Sequence, residues 1–109
     1  RIVFQAVITA CRPVPGSTVR RIYTFETVSS TEWSTEEIGP VFKPNRFVDI
    51  SDHLQTKQAA LKHYSMEMRP FPHARSFEAI EALACLRGSQ CGLEAAEAFR
   101  TILDISKNT

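Results

Sequence analysis

No apolar run in this chain approaches the roughly 20 residues that a helix needs to cross a bilayer, so no membrane partner is expected. Neither sign of charge prevails. Thirteen Lys and Arg stand against 12 Asp and Glu, so no basic face points to nucleic acid. Glycine is scarce, with four residues, and none falls in a phosphate-cradling loop. A Gly-x-Ser-x-Gly nucleophile elbow and a His-Glu-x-x-His metal helix are both missing. Cysteine is scarce and odd in number: Cys11, Cys85 and Cys91. No two share a zinc-type spacing, and Cys85 and Cys91, six positions apart, fall on different faces of a helix. They read as reduced, partly buried thiols of a cytoplasmic protein, because a nucleophilic cysteine needs a partner base that the sequence does not identify. His53, His63 and His73 are the only histidines, and none stands in a specific metal-ligand spacing.

What is present is an ordinary globular composition, 43% hydrophobic and 23% charged, in a chain of 109 residues. That length makes one domain, residues 1–109, with a core of little margin. The chain opens at Arg1 directly on an apolar segment, which reads as a piece of something longer. Residues 2–11 are almost continuously apolar, with Val3, Val7 and Cys11 on one side, and predict a buried helix that ends before Pro13. Pro13, Pro15 and Gly16 mark a turn. Residues 19–28, rich in Val, Ile, Tyr, Thr and Phe, predict a strand. A polar loop with Glu32 and Trp33 follows, then an irregular stretch punctuated by Gly39, Pro40 and Pro44.

The organising stretch is residues 47–76. Phe47, Val48 and Ile50 suit a short strand interrupted by Asp49. Ser51 and Asp52 are candidate helix caps, and Gln55, three residues after Asp52, resembles a capping box. Leu54, Leu61, Tyr64 and Met68 then share one stripe of a helix that Pro70 ends. The loop Arg69-Pro70-Phe71-Pro72-His73-Ala74-Arg75-Ser76 holds His73 between prolines and two arginines, a restricted backbone that could present His and Arg to a ligand. Ser76 is placed to cap a second helix with Phe77, Ile80, Leu83 and Ala84 inward, and Gly92 is its expected terminator. Residues 94–105 are ambiguous: Glu-Ala-Ala-Glu-Ala favours helix, whereas the stretch from Phe99 to Ile105 suits a strand. Glu32, beyond the first strand, stands where open α/β sheets bind ligands, and packing of Trp33 is an equally good account of that loop.

Three stretches in order, Phe47-Val48-Asp49-Ile50-Ser51, the 69–76 loop, and Arg87-Gly88-Ser89-Gln90-Cys91-Gly92-Leu93-Glu94-Ala95-Ala96-Glu97-Ala98-Phe99, resemble the PIG-L family of LmbE-like N-acetylglucosaminyl deacetylases. Ser29-Ser30-Thr31-Glu32-Trp33 looks like a segment from one bacterial branch. The resemblance implies a zinc-dependent hydrolase that removes acetyl from an N-acetylated amino sugar or glycoconjugate. It implies a Rossmann-like three-layer α/β fold, with helices packed on a mostly parallel sheet, of which this chain is the carboxyl-terminal part. It also implies a strand for residues 96–103, against local propensity.

The family's His-Pro-Asp-Asp motif and its second His motif, which carry the zinc ligands, the base and the oxyanion histidine, are absent here. The zinc of the whole protein is therefore expected on an amino-terminal portion outside this chain, with no metal ligand and no catalytic residue among the 109. His73 and Arg75 are carried over as substrate contacts, with Glu32 a third. Homo-oligomers are common in the family, and Trp33 could sit at an interface. Two rival readings stand beside this one: a non-catalytic binding or interaction module, and one part of a nucleotide-sugar or glycosyl-transferring enzyme.

Overall fold

The computed structural model describes residues 2–28, 31 and 41–107. The predicted polar loop with Glu32 and Trp33, and the stretch around Gly39 and Pro40, lie outside these residues. In chain order the elements are helix α1 (Ile2–Ala10), strand β1 (Arg21–Phe25), strand β2 (Arg46–Asp49), helix α2 (Leu54–Leu61) with a 3-10 turn (Lys62–Tyr64), helix α3 (Phe77–Ser89) and strand β3 (Ala96–Asp104).

The protein is thus mixed α/β, with a three-stranded sheet ordered β1-β3-β2. Both ladders are antiparallel: Phe25 pairs with Phe99 in one, and Asp49 with Ala96 in the other. The mostly parallel arrangement expected from the resemblance is not what these strands form, and the connection explains why. The first residue of β3 lies beside the last of β2, so α2 and α3 return the chain to the same end of the sheet. From there β3 can only run back along β2, whereas a parallel neighbour needs a crossover to the opposite end.

Helix α3 holds the sheet. Ser76 is extended, its Oγ accepts from the Ala79 N–H at 3.1 Å, and Ser76 is itself buried, as the predicted cap requires. Ile80, Ala84 and Gly88, one turn apart, turn inward and meet Ala95, Ala96 and Ala98 at the start of β3. Gly88 does not interrupt the helix. A Cβ there would lie 2.6 Å from the Leu93 carbonyl oxygen, 2.8 Å from Ala95 N and 2.9 Å from Ala95 Cα, so the helix and the turn into β3 touch backbone to backbone. Gly92, at φ +78°, then turns the chain, and the N–H of Leu93 donates back to the Gly88 carbonyl at 2.8 Å.

Two expectations change. The helix over residues 2–11 forms, but none of its residues is buried; Ile2 and Val3 are 85% and 75% exposed. Its sequence has no charge on any side, so it is suited to being surrounded, and nothing described here surrounds it. The second helix is shorter than its apolar stripe suggested. No side chain caps its start at His53, the Ser51 hydroxyl oxygen accepting from the Ala95 N–H instead, and the chain tightens after Leu61 into the 3-10 turn.

Replacing Gly88 with Ala should lower stability by about 1–3 kcal/mol, the usual penalty for an overpacked contact with no flexible neighbour. The expected signature in urea unfolding is a lower midpoint with an unchanged slope. An unaltered midpoint would show that helix and strand do not approach this closely.

Candidate functional site

The loop between the 3-10 turn and α3 is tied from within. The Arg69 N–H donates to the Arg75 carbonyl at 2.9 Å and closes its two ends. Inside that closure the His73 N–H reaches the Pro70 carbonyl at 3.0 Å, and the Ser76 N–H reaches the His73 carbonyl at 3.1 Å. Arg69 is occupied: its Nη1 donates to the carbonyls of Met66 and Met68 at 2.7 and 3.0 Å. These bonds serve carbonyls that the tightened turn leaves without helical partners.

The two sequence candidates within the described residues, His73 and Arg75, come together here. The Arg75 N–H donates to His73 Nδ1 at 3.0 Å, so the neutral imidazole carries its proton on Nε2, an edge without a hydrogen bond among the described residues. The Arg75 guanidinium has one weak partner, Glu67, at 3.7 Å on the surface, and its buried Nε bonds to nothing among the described residues. A loosely held guanidinium beside an imidazole N–H suits oxygen-rich groups: hydroxyls, a carboxylate or a phosphate. Glu32, the third candidate, lies outside the described residues. His53 stands at the start of α2 and His63 in the 3-10 turn, and no group of three metal-binding side chains assembles among the described residues.

Asp49, at the end of β2, is the described titratable group whose pKa is displaced. The Ser51 hydroxyl donates to its Oδ1 at 2.6 Å and the Ser51 N–H at 2.9 Å; these bonds, with His53 nearby, hold the carboxyl below its ordinary range. Ser51 Oγ also accepts from the Ala95 N–H at 3.3 Å, which links the end of β2 to the residue before β3.

A second feature escaped the sequence reading. A groove of about 380 Å³ opens between the α2 and α3 helices and the β1–β3 ladder. Leu61, Ile80 and Leu83 supply one wall, and Phe25 and Phe99 the other. Arg87 and Glu26 line it as a bidentate pair, Nε to Oε1 at 2.9 Å and Nη2 to Oε2 at 2.7 Å, with side chains only 16% and 13% exposed. Lys57 and Glu97 add a looser pair at 3.2 Å. One signal was available: Arg87 stands seven residues after Ile80, on the apolar stripe of α3, where an arginine demands a partner.

The chain matches no family model, no curated protein and no solved structure.

By proton NMR, Asp49 should titrate below 3.8, and Ser51→Ala should return it towards that value. The folded pKa is the depressed one, so the associated stabilisation is present above the unfolded value and is lost as pH falls through the folded one. An Asp49 pKa that does not respond to Ser51→Ala would assign the depression to another cause.

Proposed function

We propose that this chain is the carboxyl-terminal part of a zinc-dependent N-deacetylase acting on an N-acetylated amino sugar or glycoconjugate, with the 69–76 loop at the substrate rim. The observation that carries this reading is the loop itself: a closed, proline-restrained turn that sets an exposed His73 beside a weakly partnered Arg75, in a stretch that resembles the family's own. In this reading the zinc and the catalytic base sit on residues outside the 109. The chain contributes orientation: His73 donates to a substrate hydroxyl, and Arg75 holds an anionic or hydroxyl group. The antiparallel strands fit it as the margin of a larger Rossmann-like sheet, since such sheets often end in an antiparallel strand.

A larger body is supported by α1, none of whose residues is buried. The charge-free α1 is the first surface to be covered, and an amino-terminal portion of the same protein is the partner this reading assigns to it. The same exposed helix also favours a second reading, a non-catalytic interaction module.

In the intact protein, His73→Ala and Arg75→Ala should each lower kcat/KM for deacetylation by about ten- to a hundredfold, the loss of one charge-assisted or strong hydrogen bond, with zinc content unchanged. Unchanged turnover in both variants would remove the loop from the substrate rim. An intact protein without zinc or deacetylation would leave the interaction-module reading.

A further inference from the structure

Two buried side-chain atoms have no hydrogen bond among the described residues: Arg75 Nε, a donor, and Gln58 Oε1, an acceptor. Their side chains converge on one short piece of chain. Ser76 is buried and extended, at φ −99° and ψ 158°, which sends its neighbours Arg75 and Phe77 to the same side of the backbone. Gln58, on α2, donates from Nε2 to the Phe77 carbonyl at 3.3 Å. That bond pins one end of the amide, and Oε1 is the end left over. We propose, on the substrate-rim reading of the 69–76 loop, that Gln58 is a positioning residue for Arg75. Its Oε1 accepts from the Arg75 Nε–H, directly or across one water, and so fixes the guanidinium at the rim.

The two atoms are chemically complementary, and an orphaned donor or acceptor in the interior costs the desolvation of that group. One link relieves both, and a bridging water serves nearly as well as a direct bond. The backbone of Arg75 is already fixed, its N–H on His73 Nδ1 and its carbonyl on the Arg69 N–H, so the freedom that remains is in the side chain. Glu67 restrains it little, since it stands 3.7 Å from Nη1 and its side chain is 73% exposed. An arginine held in place beforehand loses less freedom when a ligand arrives. A neutral amide suits that task better than a carboxylate. It takes the Nε–H without cancelling the charge, which leaves the Nη1 and Nη2 hydrogens for a carboxylate, a phosphate or a pair of hydroxyls.

The test follows the Arg75 Nε–Hε signal by NMR in the isotope-labelled intact protein, assigned by its disappearance in Arg75→Lys. Gln58→Met keeps the length of the side chain and removes both amide groups. Gln58→Glu keeps an oxygen for Arg75 and removes the donor to Phe77. Gln58→Met should speed solvent exchange of Hε about fivefold, the loss of one hydrogen bond, while Gln58→Glu leaves it as slow as in the parent protein. The Ala79 amide, bonded to the Ser76 cap, reports in both variants that the start of α3 is intact. Equal acceleration in both variants would make Gln58 only a brace for the Phe77 carbonyl, and no acceleration in Gln58→Met would show that α2 does not hold Arg75. Either result overturns the proposal. Turnover of N-acetylglucosamine separates it from the reading it rests on. Where the intact protein deacetylates that probe, Gln58→Met should raise KM about fivefold with kcat and zinc content unchanged, and an unchanged KM would overturn the positioning role. An intact protein without that activity would end the rim reading, and the exchange rates alone would then decide whether Gln58 holds Arg75.

Discussion

The closest constraint in this protein is the backbone contact between α3 and the turn into β3. Gly88 admits no side chain there, and the surfaces that meet around it are alanines: Ala84 on the helix, Ala95, Ala96 and Ala98 on the strand side. Small residues let a helix and a strand approach closely, and the approach fixes the rest. It sets where β3 starts, hence its antiparallel run along β2. It orients α3, whose capped end receives the 69–76 loop and whose other end carries Arg87 into the groove.

Polar contacts then complete what the alanine seam begins. Ser51 bridges Asp49 and Ala95, so the two chain segments that meet at the start of β3 are joined by a side chain as well as by the ladder. Arg87 and Glu26 join the residue after β1 to the last turns of α3 across 61 residues of sequence. A pair this dry is costly to form and costlier to break, which makes it a positional device more than a source of net stability. Both candidate surfaces, loop and groove, are therefore held from the same helix.

How much of this was legible in the sequence varied with the range of the interaction. The Ser76 cap and the turn at Gly92 are local signals and could be read from neighbouring residues. The strand over residues 96–104 was half legible: Phe99 to Ile105 suited a strand by composition, whereas the alanine-rich start followed only from the resemblance; the structure supplies the reason, since those alanines are small enough to lie under α3. Asp52 and Gln55 looked like a capping box, but the helix begins one residue later, with His53 at its cap position and no side chain bonded there. The pairing of Arg87 with Glu26 and the exposure of α1 depend on contacts far apart in sequence, which periodicity does not report. His73 and Arg75 were legible as a pair because they share one loop, whereas Glu32 falls outside the described residues.

Helix α3 and strand β3 form one unit, joined at the alanine seam. Native-state hydrogen exchange of the backbone amides measures it most directly. Amides of α3 from residues 80–88 and of β3 from residues 96–99 should be the slowest to exchange and should share one opening free energy and one denaturant dependence. Independent opening of α3 and β3, or greater protection elsewhere in the sheet, would contradict the claim.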